Sequence, residues 1–124
     1  MEMVDFKQLK VWQKARQVTL DICRVTTRFP QTELYGLTSQ MRRCAVSMGS
    51  NIAEGRGRDG DPDFGRFIQI AEGSAAELEY QLLVAKDLGY LPEAEHTKLN
   101  TNLAEVGRML ISLRESVRSA SAAN

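Results

Sequence analysis

Three breaks divide this chain, and between them the apolar residues recur at helical spacing. Pro30 follows Phe29, glycines run from Gly55 to Gly60 ahead of Pro62, and Gly89 precedes Pro92. Proline cannot continue a helix, because it lacks the N–H and its ring clashes with the preceding turn. Glycine supplies helix ends, and proline is favoured in the first turn of the next helix. At 100° per residue the apolar positions of each segment gather on one arc. Leu99, Leu103, Val106, Leu110, Leu113 and Val117 alternate in steps of four and three, the spacing of a seam between helices. No strand alternation competes. The pattern predicts helices over about 5–28, 32–55, 62–88 and 92–118, joined by short turns. The economical arrangement is an all-α, antiparallel up-down four-helix bundle, one domain over 1–118 with SASAAN at 119–124 as a frayed tail.

The stripes differ in width. Leu34, Leu37, Met41, Cys44, Ala45, Met48 and Ile52 line helix two, and Phe64, Phe67, Ile68, Ala71, Ala75, Leu78, Leu82 and Ala85 line helix three. Asp61 is placed to cap helix three, Pro62 to open it and Gly55 to end helix two. Helix one carries Val4, Val11, Val18 and Val25 every seven residues, with Phe6, Leu9 and Leu20 well outside that arc. Val46, Leu83, Val84 and Ile111 are outliers elsewhere. Surplus apolar surface on a small protein points to a partner, here taken as a second copy of the chain.

Charge removes some functions. Sixteen Lys/Arg balance sixteen Asp/Glu, so the strong positive field of a charge-driven nucleic-acid binder is lacking. The halves differ: residues 1–62 hold ten basic and seven acidic groups, and residues 63–124 six and nine. Glu2, Asp5, Lys7 and Lys10 interrupt any export signal, and no run approaches the roughly 18 apolar residues of a membrane span. A cytoplasmic location without membrane contact is expected. Cys23 and Cys44 lack metal or redox spacing and are read as buried reduced thiols.

Three motifs resemble sites only in their letters. GRGRDG at 55–60 spells the dinucleotide fingerprint, but that loop must leave a strand, and here a helix precedes it. Asp59-Gly60-Asp61-Pro62-Asp63 begins like a calcium loop, yet Phe64 and Ile70 stand where glycine and a bidentate glutamate are required. Glu93 and His96 have the E-x-x-H spacing of di-iron bundles; those sites need two such motifs, and His96 is the sole histidine. Neither metal nor cofactor is expected.

Two groups of polar residues remain. Gln40, Arg43, Ser47, Asn51 and Glu54 edge the stripe of helix two, and Ser74, Glu77 and Gln81 edge that of helix three. Antiparallel pairing brings these edges together, and unpaired buried polar groups cost about 1–3 kcal/mol each, so a hydrogen-bonded network through Asn51, Glu54, Ser74, Glu77 and Gln81 is expected. It serves either as a lock on helix register or as a ligand or hydrolase site built on Glu54 and Glu77. Arg42, Arg43, Arg56, Arg58 and Arg66 are read as one basic cluster at one end of the bundle and as candidate nucleic-acid contacts.

The motifs also occur in a familiar order. F-K-x-L-x-V-W-x-x-A, F-P-x-x-E-x-Y-G-L, Q-M-R-R-C-A-V-S-x-x-S-N-I-A-E-G-x-G-R and F-x-x-F-x-x-I-A-x-G-S-x-x-E-L-E-x-Q-L, over about residues 6–91, resemble the intervening-sequence four-helix-bundle family. That family is named for reading frames within bacterial large-subunit ribosomal RNA genes. The resemblance implies an up-down bundle assembled as a homopentamer. It also implies a fold similar to the accessory variability proteins of diversity-generating retroelements, which associate with nucleic acid. It brings no catalytic residues. Met48-Gly49 stands where the family commonly has a proline. The expectation is a non-enzymatic homo-oligomer that binds RNA or DNA or scaffolds a nucleic-acid-processing complex. The alternatives are a protein-interaction scaffold, or a small-ligand or hydrolase site at Glu54 and Glu77.

Overall fold

The computed structural model describes residues 5–57 and 61–123 of the chain. Four helices account for it: α1 over Lys10–Thr26, α2 over Ser39–Arg56, α3 over Asp61–Asp87 and α4 over Glu93–Ala123. Among the described residues there is no strand. Each helix packs on its neighbours in sequence, and α1 closes against α4. The result is the all-α up-down bundle read from the periodicity. Its axis is filled by Ala15, Val18 and Ile22 of α1, Met41, Ala45, Met48 and Ile52 of α2, Ile68, Ala71, Leu78 and Leu82 of α3, and Leu103, Val106 and Leu110 of α4.

Helix one is shorter than the pattern suggests. Asp5 Oδ1 accepts the Lys7 N–H at 3.0 Å, holding Phe6–Gln8 in a separate 3-10 turn, and Leu9 is extended before α1 begins. A side chain that captures its own backbone competes with the helix in this way. Phe6 thereby folds onto Trp12, ring centroids 5.1 Å apart, and Leu9 packs against the core. Two of the three outliers assigned to helix one are thus not on it. The large apolar side chains left exposed belong elsewhere: Tyr35 ahead of α2, Val46 on α2, Ile70, Tyr80 and Leu83 on α3, Leu88 just after it, and Ile111 on α4.

The second helix is also delayed. Gln31–Glu33 form a 3-10 turn, and Gly36 leaves helical geometry (φ −111°, ψ −114°) before α2 starts at Ser39. Glu33 organises this bend: Oε1 accepts the Leu37 N–H at 3.3 Å, and Oε2 accepts the Tyr90 hydroxyl at 2.9 Å. The α1–α2 connection is in this way pinned to the α3–α4 turn. α2 then runs unbroken through Gly49, over which Trp12 packs.

The other boundaries follow backbone chemistry. Gly89 has φ +80°, and Tyr90 N–H reaches Ala85 O while Gly89 N–H reaches Lys86 O, both at 2.9 Å, the bond pair of a Schellman cap. α4 continues through the Ser/Ala segment placed in a tail by its composition, ending at Ala123; alanine is the strongest helix former. Arg114 grips Glu72 with Nε at 2.6 Å and Nη2 at 3.3 Å between α4 and α3, and Lys14 meets Glu105 at 3.1 Å between α1 and α4.

Candidate functional site

The polar edges of α2 and α3 meet at mid-helix. Ser47 Oγ lies 2.9 Å from Ser74 Oγ, and Asn51 Nδ2 donates to Ser47 O at 2.8 Å and to Ser47 Oγ at 3.0 Å. One turn away, the Cys44 thiol sits 3.0 Å from Ser74 O and 3.5 Å from Glu77 Oε2. Small residues permit the approach, since Ala45, Ala71 and Ala75 flank these contacts in the core. Arg43, Cys44 and Ser47 on α2, with Ser74, Glu77 and Gln81 on α3, line an open groove of about 280 Å³.

That register corrects the proposed carboxylate pair. With Ser47 facing Ser74 and Cys44 facing Glu77, Glu54 stands ten residues along α2 from the point opposite Glu77. Ten residues of helix are about 15 Å, so the two carboxylates do not converge on one site. Glu54 is exposed and outside the groove. Gln81 lies within it, 5% exposed, and its Oε1 has no hydrogen-bond partner. A buried acceptor left unpaired costs about 1–3 kcal/mol.

Cys44 was not among the site candidates, because a lone cysteine on an apolar arc reads as core. Burial first, then the Glu77 carboxylate beside it, push its thiol from 9.0 up to about 12. It is therefore a neutral donor at neutral pH, not a nucleophile. Both cysteines are free, Cys44 buried and Cys23 only half-buried. The raised value has a pH consequence. Below pH 9 both folded and unfolded chains hold the proton; between 9 and about 12 only the folded chain does, so stability falls as pH rises through that window. The Cys44 contribution to that slope is expected to reach about 1.4 kcal/mol per pH unit. Denaturant unfolding from neutral to alkaline pH checks this, and an identical slope in Cys44→Ala would contradict it.

The arginines do not form one cluster. Arg42 Nε donates to Thr26 Oγ1 at 2.9 Å, beside the end of α1, and Arg43 borders the groove. Arg56 lies fourteen residues beyond Arg42, about 21 Å along α2. It rests over the Phe64 ring at 5.7 Å, while Arg66 rests over Phe67 at 5.1 Å and near Asp63 at 3.9 Å. Arg58 lies outside the described residues, as do Asp59, Gly60 and the Asp61 side chain that would cap α3.

Gly55 is not the helix terminator. α2 continues to Arg56 with Gly57 as its cap, and Gly55 is buried against Phe64 and Phe67. Among the described residues no three His, Cys, Asp or Glu side chains gather to hold a metal. His96 instead borders a groove with Tyr80 and Leu83. No helix among the described residues is long and apolar enough to cross a membrane.

The comparisons with known proteins agree with this architecture. The bundle resembles that of a protein of unknown function from the S23 ribosomal protein family of Bacteroides thetaiotaomicron VPI-5482. The TM-score is 0.78, over 85% of this chain and 95% of that one, at 24% identity. A likeness at that identity concerns the fold. A search of curated proteins gives no match. The family model described as 23S rRNA-intervening sequence protein matches residues 7–112, which takes in α1, α2, α3 and the greater part of α4, beyond the segment where the motifs end. On that match the chain belongs to the 23S rRNA-intervening sequence protein family.

Proposed function

We propose that this protein is a non-enzymatic homo-oligomeric bundle, closed into a ring, that presents arginines along one rim to nucleic acid. One observation carries the reading. Grooves with apolar side chains at their borders lie on opposite sides of the bundle. One, of about 300 Å³, runs between α1 and α2 and is bordered by Phe6, Trp12, Leu20 and Val46. The other side, between α3 and α4, holds adjoining grooves of about 420 and 340 Å³ bordered by Tyr80, Leu83, Ala104 and Ile111. Different patches on opposite faces suit a head-to-tail contact, which closes into a ring when the rotation allows. The count of five rests on the family resemblance.

A ring would repeat the Arg56 and Arg66 corner once per subunit. Stacking on Phe64 and Phe67 restrains both guanidiniums, which lowers the ordering cost of a phosphate contact. Each phosphate that these arginines neutralise releases counterions, so binding around a ring should weaken steeply as salt rises.

Light scattering on the purified protein is expected to give a mass near five times the 13.9 kDa of one chain. Val46→Glu and Leu83→Glu should each break the ring. Mixed together they should form a dimer, since each keeps the face the other has lost. A monomeric wild type, or a mixture that stays monomeric, overturns the ring. Mobility shifts at low salt test the nucleic-acid part. Binding lost in Arg56→Ala/Arg66→Ala supports it, and an intact ring that binds no RNA or DNA at about 50 μM leaves a protein scaffold instead.

A further inference from the structure

The groove between α1 and α2 sets a condition on whatever covers it. It is bordered by Phe6, Trp12, Leu20 and Val46, and the sole charged side chain of its lining is Arg16. Arg16 is exposed and makes no ion pair among the described residues. A partner that sealed this groove without a carboxylate would bury an unpaired charge, which is strongly unfavourable. The occupant must therefore bring apolar side chains and an acid together.

The α3–α4 face of the same chain has both. Leu83 and Ile111 are exposed on it, and Glu79 borders both of its grooves. Glu79 is exposed and, among the described residues, makes no ion pair, even with Arg108 beside it in the groove. Glu72 borders that groove too, but Arg114 already grips it at 2.6 Å. Two acids and one base thus stand on this face against the single base of the other.

The faces also match in height. Ser47 facing Ser74 and Glu72 gripped by Arg114 place Val46 level with Ile111. Thr19, bonded to Ala45 O, places Arg16 about 9 Å from Glu79 along the bundle, a gap that the two extended side chains together span. In a ring of bundles standing side by side, residues at equal height meet.

We infer that the groove between α1 and α2 receives the α3–α4 face of a second copy, with Ile111 seated against Val46 beside Trp12 and Arg16 paired with Glu79. This contact rests on the ring proposed above and specifies the residues that join its subunits. Arg16 then gains a carboxylate at the moment it leaves water, and a wrong partner without one is rejected.

The test follows assembly of the full chain by light scattering over a dilution series, with emission from Trp12, the sole tryptophan, reporting on the groove itself. As wild type dissociates, that emission is expected to shift to the red, because the groove opens to water. Gly107→Leu, at the border of the receiving groove, should weaken assembly at least about tenfold. It should keep wild-type helix content by circular dichroism, since within one chain nothing lies within 4 Å of a Cβ built there. Gly73→Leu is the control: equally open but bordering neither α3–α4 groove, it should assemble as wild type does. Arg16→Glu and Glu79→Arg should each weaken assembly about tenfold by setting like charges against each other. The double variant Arg16→Glu/Glu79→Arg should return to within about threefold of wild type. A monomeric wild type overturns the ring and this contact together. A wild-type oligomer whose assembly survives Gly107→Leu, whose charge reversals are not restored in the double variant, or whose Trp12 emission ignores dissociation overturns this contact and leaves the ring standing.

Discussion

Gly55→Val is expected to lower the melting temperature by about 8–12 °C, equivalent to about 2–3 kcal/mol of overpacking in a chain of this size. A Cβ at position 55 would lie 2.6 Å from Phe67 Cβ, 3.0 Å from Phe64 Cδ1 and 3.2 Å from Phe67 Cγ. The first contact decides the outcome. Phe67 Cβ is fixed to the α3 backbone and cannot rotate away as a side-chain tip does, so α2 and α3 must separate. Gly55→Ala meets the same atom with less bulk and regains about 1 kcal/mol of helix propensity, so it should fall between. Gly73 is the control: it lies inside α3 with nothing within 4 Å of a built Cβ. Gly73→Ala should stabilise the protein by about 0.5–1 kcal/mol. Thermal melts of the three variants check the series, and a Gly55→Val melt indistinguishable from wild type would show that the helices do not meet there.

Leu78→Ala should cost more, about 2–5 kcal/mol, for lost transfer energy plus a cavity. Leu78 is fully buried on α3, the helix flanked by both α2 and α4. Neighbours on two sides must collapse inward to fill the gap, and the Arg114–Glu72 clamp between α3 and α4 resists this. A domain of this kind has only about 5–15 kcal/mol of stability, so the variant should unfold at much lower urea with an unchanged slope. The cavity opens beside Cys44, whose thiol lies within reach of the Leu78 backbone. Faster modification of Cys44 than in wild type is therefore a second expected readout. A loss below about 1 kcal/mol would contradict close packing at the α2–α3 seam.

Much of the site was visible in the sequence as types of residue and little of it as geometry. Ser47, Asn51, Ser74 and Glu77 were legible because polar residues at helical spacing beside an apolar stripe must find partners. Cys44 was not, because its role depends on which carboxylate lies across from it. Glu54 shared the spacing but stands about 15 Å along α2 from the point opposite Glu77, since register between two helices is set by side-chain packing and not by either helix alone. The arginines show the same limit: Arg42 and Arg56 are near in sequence, yet 1.5 Å of rise per residue puts them at different heights of the bundle.

Local chemistry by itself determined the number of helices, the turns at Pro30, Gly89 and Pro92, and the residues of the core, because proline, glycine and a 3.6-residue period act within a few residues of where they stand. The tertiary structure decided the rest. Glu33 bends the start of the second helix because Tyr90, fifty-seven residues away, lies within 2.9 Å. Gly55 must be glycine because Phe67 occupies the space its Cβ would need. Gln81 is left with an unpaired oxygen only because the two helices close over it. Each depends on atoms distant in sequence meeting at contact distance, and only the packed bundle specifies that.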